Sequence, residues 1–495
     1  MQAPFRFIRS VIVPLLAATT SVLALVPATS HAQGNTATGV NALAHITTGI
    51  DNTATGQSAL YFTTTGTGNT ATGFNALYTN GKGYDNVADG VGALFSNTNG
   101  FGNTADGEAA LHANTNGSEN TAAGYQALLS NTTGSLNTAL GEDSLYSNTS
   151  GNGNLAVGSA ALYSNTTGSE NTAAGAQALH ANTSGADNTA AGSYSLLNNT
   201  TGSGNLAAGS TALYSNTTGS ENTATGNQAL FKNTSGSYNS AGGAMALHAN
   251  TTGAFNTAVG SEALYSNTTG SENTATGNLS LYKNESGSDN TADGRGTLYD
   301  NSTGFDNTAI GYDALGVNIV GTQNTGVGFG SLYLNTGDNN TALGQDAGSR
   351  LTSGSNNIDI GDADIQGVSD EKAGEANTIR IGEFKTQKTT YIAGIYGQTV
   401  DAGAKTVVID ADGQLGTVIA ASTSSINSND LRDAVAKLQA SNCRLQATVA
   451  RQQADFQRQI KDLTATIKEQ ASLLQKVSAE VQAGRPSPQV VSNTY

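Results

Sequence analysis

A 17-residue phrase repeats through the chain without a slip, with leading Asn residues from Asn35 to Asn324. The consensus of the copies reads N-T-A-x-G-x-x-A-L-Y-x-N-T-T-G-S-x, and we number its positions from 1 at the leading Asn to 17. The Asn at position 1, the Gly at position 5 and the Leu at position 9 occur in all eighteen copies. A period this short cannot hold two helices and a turn, and the repeated Gly residues disfavour any helix. We therefore predict an all-β repeat fold, a β-solenoid in which each copy forms one coil.

Within each coil, the Thr-Ala-x and Ala-Leu-Tyr segments are predicted to form two short strands. The position-5 Gly is expected to permit a sharp turn, and the closing N-T-T-G phrase, as at residues 165–168, is expected to use Asn and Gly at positive φ. The position-1 Asn side chains are predicted to form a hydrogen-bonded ladder along the axis. At about 4.8 Å per coil, eighteen coils give a rod about 85 Å long. The predicted ladder and core residues are Asn52, Asn69, Asn103, Asn120, Asn171, Gly56, Gly73, Gly124, Leu60, Leu77 and Leu128.

Large apolar side chains are scarce, because hydrophobic residues make up only 37% of the chain and Trp is absent. One coil brings a Leu, two Ala and part of a Tyr to a core, which is little apolar area to stabilise it. If three chains wound beside one another, these faces would converge on a shared axis. The predicted partner is therefore two further copies of the chain, in a homotrimer.

The N-T-A-x-G-x-x-A-L unit resembles the head repeats of trimeric autotransporter adhesins, whose coils carry a similar S-V-A-I-G-type phrase. The resemblance extends from Asn35 to about Ile360. It implies a trimeric left-handed β-roll, which we assign to residues 33–340, and a function in attachment.

The first residues are typical of a secretory signal peptide. Arg6 and Arg9 precede an apolar run at 11–26, and small residues stand at Ser30 and Ala32. Residues 1–32 are thus predicted to be removed by cleavage between Ala32 and Gln33. A membrane-spanning helix is the less favoured alternative, because the run is short. We expect an exported protein, at the cell surface on the exterior of an outer membrane or secreted, and attached to a membrane only through an unknown partner.

The sequence after the repeats predicts a β-rich cap or neck at 341–425, with strands at 357–361, 377–382 and 391–395 and a last hairpin at 407–414. A coiled-coil stalk is predicted at 426–484, with a stutter at Phe456, followed by a disordered tail at 485–495. A helix packed on a globular core is the alternative. The predicted core of the coiled coil is Leu431, Val435, Leu438, Asn442, Leu445, Val449, Phe456, Ile460, Leu463 and Ile467.

The neck and tail are also similar to exported bacterial repeat proteins that usually carry a self-cleaving intramolecular chaperone domain of the tail-spike type. Residues 413–416 lead almost directly into the predicted helix, so we expect neither this domain nor self-cleavage. The segment 487–495 is too short for the strands of an autotransporter membrane anchor.

No catalytic motif stands out, and we expect neither enzyme activity nor a cofactor or metal. His112, His180 and His248 lie four coils apart, about 19 Å, which is too far to share a metal within one chain. Meeting of three copies of one His on a trimer axis is the less favoured alternative. Residues 35–340 contain 20 acidic and 4 basic residues, a net charge of −16, which excludes a nucleic-acid partner.

An aromatic stripe at position 10 is the candidate ligand surface, because aromatic rows suit glycans and proteins. The alternative is a structural role in a groove between strands or chains. The predicted ligand residues are Tyr61, Tyr78, Tyr146, Tyr163, Tyr214 and Tyr265.

These features predict a non-enzymatic, fibrous, adhesin-like structural protein that attaches to host extracellular matrix, a glycan or another surface. Three alternatives remain. The chain could be a monomeric ice- or glycan-binding solenoid, with the position-2 Thr row as its ligand face. It could also be a phage-tail-fibre-like structural protein, or an enzyme on a right-handed β-helix.

Overall fold

The computed structural model describes residues 34–361, 372–382, 407–409 and 415–417, together with helical residues between 439 and 470. The predicted signal peptide, with Ala32 and Gln33 at its cleavage site, lies outside the described residues. The chain divides into two compact units, Met1–Thr386 and Gln387–Tyr495. The repeats belong to the first unit.

One parallel β-sheet of 21 strands runs the length of the repeat array. Each strand pairs in parallel with the next one in the sequence, as a β-solenoid requires. The strands are β1 Thr36–Thr38, β2 Thr53–Thr55, β3 Thr70–Thr72, β4 Val87–Asp89, β5 Thr104–Asp106, β6 Thr121–Ala123, β7 Thr138–Leu140, β8 Leu155–Val157, β9 Thr172–Ala174, β10 Thr189–Ala191, β11 Leu206–Ala208, β12 Thr223–Thr225, β13 Ser240–Gly242, β14 Thr257–Val259, β15 Thr274–Thr276, β16 Thr291–Asp293, β17 Thr308–Ile310, β18 Thr325–Val327, β19 Thr341–Leu343, β20 Ile358–Ile360 and β21 Ile379–Ile381.

The ladder continues past residue 340, the predicted end of the β-roll. Thr325 pairs with Thr341 across a step that is one residue short, because the closing corner there reads Asn335-Thr336-Gly337 and lacks one Thr. Strands β20 and β21 then extend the same sheet, with Ile358 opposite Ile379. The two apolar segments predicted as cap strands are therefore the last rungs of the array, and the third, at 391–395, lies outside the described residues.

The hydrophobic core closes within a single chain. From the second to the eighteenth coil, a coil contributes the residue at position 3, which is Ala except for Gly326, the residue at position 8, which is usually Ala, and the Leu at position 9. In the second coil, Ala54, Ala59 and Leu60 are all 0% exposed. Leu77 and Leu128 are buried in the same way. We expected these faces to converge on an axis shared by three chains, but a single chain already removes them from solvent.

The Ala-Leu-Tyr segment is a turn and not the second strand that we predicted. Its Leu adopts positive φ in every coil, as in Leu60 (51°), Leu77 (49°) and Leu128 (53°). The left-handed conformation costs a non-Gly residue about 1–2 kcal/mol. Burial of the Leu side chain, worth about 1.5–3 kcal/mol, offsets that cost. A short coil thus bends tightly and still directs its largest apolar group inward.

The coil requires Gly at positions 5 and 15 for two different physical reasons. Gly56, at position 5, has φ of +132°, and a Cβ there would lie 2.4 Å from the carbonyl oxygen of Gly73. Gly168, in the closing phrase, does not have positive φ, so that prediction is wrong. A Cβ on Gly168 would instead meet the carbonyl oxygen of Gly185 at 2.4 Å and Oδ1 of Asn165 at 2.5 Å. Close approach between coils therefore selects the second Gly.

The predicted Asn ladder is confirmed. The backbone N–H and the Nδ2 of Asn69 both donate to Oδ1 of Asn52, at 3.1 and 2.9 Å, and the Nδ2 also donates to the carbonyl of Gly83 at 2.9 Å. The other predicted members make the same upward and downward bonds and are 0% exposed. They are Asn103, Asn120 and Asn171.

A second, unpredicted Asn ladder follows position 12. Asn114 Nδ2 donates to Oδ1 of Asn97 and to the carbonyl of Gly117, both at 2.9 Å. The sequence signal was the Asn that opens almost every N-T-T-G phrase. Because Asn and Gly at positions 12 and 15 close the coil as a unit, that corner is as constrained as the strand.

The second unit contains the predicted last hairpin, with β22 Val407–Ile409 antiparallel to β23 Leu415–Thr417. Described residues between 439 and 459, and Gln470, are helical, and Phe456 is 52% exposed. They establish helix at these positions, including Asn442, but not a coiled coil. The other predicted core positions lie outside the described residues, as does the tail 485–495. They are Leu431, Val435, Leu438, Leu445, Val449, Ile460, Leu463 and Ile467.

Candidate functional site

The position-10 side chains form a ladder of stacked aromatic rings, which we call the aromatic ladder. Ring centroids of neighbouring coils lie 4.8–5.2 Å apart, and their planes differ by 4–15°. This spacing is the coil-to-coil distance of a parallel sheet, so the strand register imposes the stacking. The ladder consists of three runs: Tyr61, Tyr78, Phe95 and His112; Tyr146, Tyr163 and His180; and Tyr214, Phe231, His248, Tyr265, Tyr282 and Tyr299.

Three non-aromatic residues interrupt the ladder, namely Leu129, Leu197 and Gly316. At the last gap, the ring of Tyr333 leans over Gly316, where a Cβ would lie 2.7 Å from the ring. Leu129 and Leu197 place an aliphatic side chain beside the rings at those ends, and only Gly316, between Tyr299 and Tyr333, has no side chain.

Within a run, each ring face is covered by the next ring, and the side chains are half-buried. A ligand that stacks on an aromatic face therefore finds no free face inside a run, and only ring edges and Tyr hydroxyls face outward. Among the predicted ligand residues, Tyr61 contacts Tyr78 and Tyr146 contacts Tyr163 as neighbours in the ladder. Tyr214 and Tyr265 lie in one longer run, separated by two other rings. The geometry favours a structural role for most of this stripe.

The three ladder His residues occupy aromatic positions and stack on their neighbours. His248, for example, lies between Phe231 and Tyr265, with ring centroids 5.2 and 5.0 Å away. Burial lowers the pKa of His112, His180 and His248, and the positive charge of Lys232 lowers that of His248 further. Neutral imidazoles fit the stack because a buried charge would be desolvated. Among the residues that the structure describes, no group of three His, Cys, Asp or Glu could hold a metal ion.

The outer face of the sheet carries positions 2 and 4, on either side of the buried position-3 Ala. Where both are Thr, two rows of hydroxyls lie side by side, as in β1, β2, β3, β12 and β15. Our expectation of a single Thr row needs correction, because Thr53 and Thr55 both point outward from Ala54. Only β1 to β3 make a continuous paired patch, which Val87 and Asp89 in β4 interrupt.

Exposed apolar side chains cluster in the last coils. Position 4 becomes aliphatic from β17 onward, including Leu343 at 45% exposure and Ile381 at 70%. Beside it, Tyr312 and Phe329 at position 6 stack with centroids 5.3 Å apart and are 41% and 51% exposed. Arg295 lies over Tyr312, with its guanidinium carbon 5.4 Å from the ring centroid. We call this surface the apolar patch; it consists of Ile310, Val327, Leu343, Ile360, Ile381, Tyr312 and Phe329.

Carboxylates concentrate at one corner of the coil. Nine of the acidic residues in 35–340 occupy position 17, where the backbone has positive φ. They are Asp51, Asp85, Glu119, Glu170, Asp187, Glu221, Glu272, Asp289 and Asp306. Burial raises the pKa of the Asp289 carboxyl, and the neighbouring Glu272 raises it further. One edge of the array is therefore strongly acidic.

A buried ionic group ends the core. Asp359 occupies the position-3 site, which holds Ala in the preceding coils except for Gly326, and is 1% exposed. Arg380 lies opposite it in the register, with Nη1 3.7 Å from Oδ1 of Asp359, and also pairs with Glu375. Burial raises the pKa of Glu375, but hydrogen bonds from Arg380 and Thr378 outweigh it and lower the pKa overall. The column of position-3 side chains thus ends in the buried ionic group of Asp359, Arg380 and Glu375, which we call the charged lid.

The described residues include no helix that is long and apolar enough to cross a membrane. Comparison with known protein families finds no match, and a search of curated proteins finds no significant relative. Function is therefore inferred from the fold and its outward faces.

Proposed function

We propose that the chain is an exported, non-enzymatic, adhesin-like rod that holds a repetitive surface away from the cell and attaches it to matrix, glycan or another surface. The supporting observation is a coil that closes its own core and repeats about twenty times along one sheet. Such a coil needs no ligand to fold, and its length rather than a pocket is its distinctive property. Export follows from the signal peptide predicted at 1–32.

In this proposal, the array gains nothing from a shared core, because its Leu and Ala side chains are already buried. Homotrimer formation is assigned to the heptads of 426–484, through which three copies would associate as a stalk. The resemblance to trimeric autotransporter adhesins supports this assignment. Each copy would then present its own array.

The apolar patch is the attachment surface that we assign. It combines exposed aromatic and aliphatic groups with the cation of Arg295, a composition typical of the central part of protein interfaces. The rest of the array is acidic, which disfavours contact with anionic surfaces. Attachment should therefore be strongest to apolar or weakly basic surfaces, such as matrix proteins.

Binding of the exported full-length chain to immobilised matrix proteins tests this proposal. The double variant Tyr312→Ser/Phe329→Ser should lose at least tenfold in binding. Tyr125→Ser is the matched control, since Tyr125 is 47% exposed at the same position of a coil flanked by Glu108 and Glu142. Equal binding by the wild type and both variants would refute the assigned surface, and no binding to any tested surface would refute the adhesive function.

A monomeric ligand-binding solenoid is the second candidate. The observation that favours it is the core closed within one chain, and glycans could use the gap in the aromatic ladder at Gly316, beside Tyr299. A monomeric mass of the full-length chain, together with glycan binding abolished by Tyr299→Ala but not by Tyr163→Ala, would favour this candidate over the fibre.

A further inference from the structure

The first coil of the array presents an unpaired backbone edge. In the second coil, the N–H of Gly56 donates to the carbonyl of Thr38 at 2.8 Å, and the carbonyl of Ala59 accepts from the N–H of Leu43 at 3.1 Å. The corresponding groups of the first coil have no preceding coil among the described residues. They are the N–H groups of Gly39 and Asn41 and the carbonyl groups of Ala42 and Ala44.

Strand β1 belongs to the same edge. Thr36 donates to Asn52 and Thr38 accepts from Gly56, so both residues direct their backbone groups to the second coil. Backbone groups alternate along a strand, and Ala37 therefore directs its N–H and C=O away from the array. All three residues of β1 are exposed, whereas the centre of β2 is buried. An open strand edge of this kind is a template for pairing with another strand.

The two ends of the array differ. At the far end, the Asp359 and Arg380 lid closes the core, and 113 residues follow Gly382. This inference rests on one part of the proposed function, the removal of residues 1–32. At the near end, that removal leaves only Gln33 and Gly34 before the first coil. Two residues cannot form a covering coil of 17.

Charge also distinguishes the first coil. Asp51 is the only Asp, Glu, Lys or Arg in the first coil, residues 35–51, whereas 35–340 as a whole carry a net charge of −16. Side-by-side contact between two arrays therefore brings many like charges together, while contact between first coils involves one carboxylate from each copy.

We propose that the first coils of two copies pair head to head, with β1 antiparallel to β1 of the partner and Ala37 near the two-fold axis. Both copies use the same surface, so the contact closes after two copies and cannot grow into a filament. Main-chain hydrogen bonds supply the pairing, as in other strand-addition complexes. The occupant of the open edge is thus a second copy of this chain, and rods from two cells or two stalks would join at their tips.

Light scattering on the chain from Gln33 to Tyr495, in the Cys443→Ser background, tests the pairing. Ala37→Pro removes the outward N–H, which an edge strand tolerates, and Ala37→Lys adds a charge at the edge. Ala37→Ser retains the N–H and is the matched control. We expect the wild type and Ala37→Ser to have at least twice the mass of the other two variants; the mass is twice where all arrays of one stalk pair with those of a single partner. The length of the array measured by electron microscopy should double in parallel.

Equal masses for all four proteins would overturn the pairing, as would a doubled mass without a doubled array length. The circular dichroism spectra of Ala37→Pro and Ala37→Lys must match that of the wild type. If one of the two variants misfolds, the mass of the other still tests the pairing. Mass spectrometry of the full-length precursor after expression in an exporting bacterium separately tests cleavage after Ala32. Retention of 1–32 would refute the export proposal, whereas equal masses of the chains starting at Gln33 refute only the pairing.

Discussion

The position-1 Asn ladder should contribute more to stability than any surface contact of the array, and Asn171→Ala tests this. Asn171 is 0% exposed, and its Oδ1 accepts from the backbone N–H and the Nδ2 of Asn188, both at 3.1 Å. Its Nδ2 donates to the carbonyl of Gly185 at 2.9 Å. Alanine at this position leaves the backbone N–H of Asn188 without a partner in the interior. The Nδ2 of Asn188 keeps its bond to the carbonyl of Gly202, and the carbonyl of Gly185 keeps its bond from Nδ2 of Asn182.

Each buried polar group left without a partner costs about 1–3 kcal/mol. The loss of the other three side-chain hydrogen bonds of Asn171 adds to this cost, and we expect a decrease of about 2–4 kcal/mol in the free energy of unfolding. Asn227→Ala is the control, because Asn227 is exposed and makes only a 3.4 Å hydrogen bond to the carbonyl of Ser210. Its effect should stay within about 0.5 kcal/mol.

Urea unfolding followed by circular dichroism measures the difference, and hydrogen exchange locates it. A repeat array is stabilised by neighbour contacts, so exchange should accelerate most in the coils on either side of residue 171. If Asn171→Ala and Asn227→Ala unfold at the same urea concentration, the ladder does not hold the coils together.

Three further predictions concern the stack, the closing corner and the lid. The pKa values of His112, His180 and His248 are lowered in the folded state. The stability that these neutral side chains contribute is therefore fully present above the unfolded pKa of about 6.5 and is lost as the pH falls below it. Replacing all three by Phe should remove this loss in unfolding curves measured between pH 7.5 and 5. Gly168→Ala should lower the free energy of unfolding by about 2 kcal/mol or more, because its Cβ would lie 2.4 Å from the carbonyl oxygen of Gly185. The control Ala176→Gly, on an exposed corner, should cost under about 1 kcal/mol in the same urea assay. Arg380→Met alone should destabilise the last coil by about 3 kcal/mol, because it leaves Asp359 charged and buried. The double variant Arg380→Met/Asp359→Ala should recover most of that loss. Hydrogen exchange at β20 measures both effects, and no recovery would contradict the ion-pair role of Arg380.

The period of the sequence was sufficient to predict one coil per 17 residues and the ladder of Asn52, Asn69 and Asn103, because both follow from the repetition itself. The conformation inside a coil was not predictable from residue preferences. Leu60 favours helix or strand in isolation, and only the closed coil forces it to positive φ. Positive φ was the expected reason for the closing Gly168, but the actual reason is close packing against the next coil, which a single coil does not reveal.

The surface was harder to anticipate than the core. The row of Tyr61, Tyr78 and their equivalents was visible in the sequence, but the covering of ring faces depends on the distance between coils. The apolar patch was missed because its members are dispersed along the sequence and each is ordinary in its own repeat. Burial of the Leu and Ala faces within one chain also depended on a turn that the sequence pattern did not indicate.

The central claim is that each 17 residues advance the rod by one coil within a single chain. Spin labels at Asp106→Cys and Ala191→Cys in the Cys443→Ser background, diluted with unlabelled protein, measure this advance across five coils. A second pair, at Asp106→Cys and Thr276→Cys, spans ten coils. We predict distances of about 24 and 48 Å, the second twice the first. Distances that do not double, or that disappear on dilution because they join different chains, would contradict the single-chain solenoid.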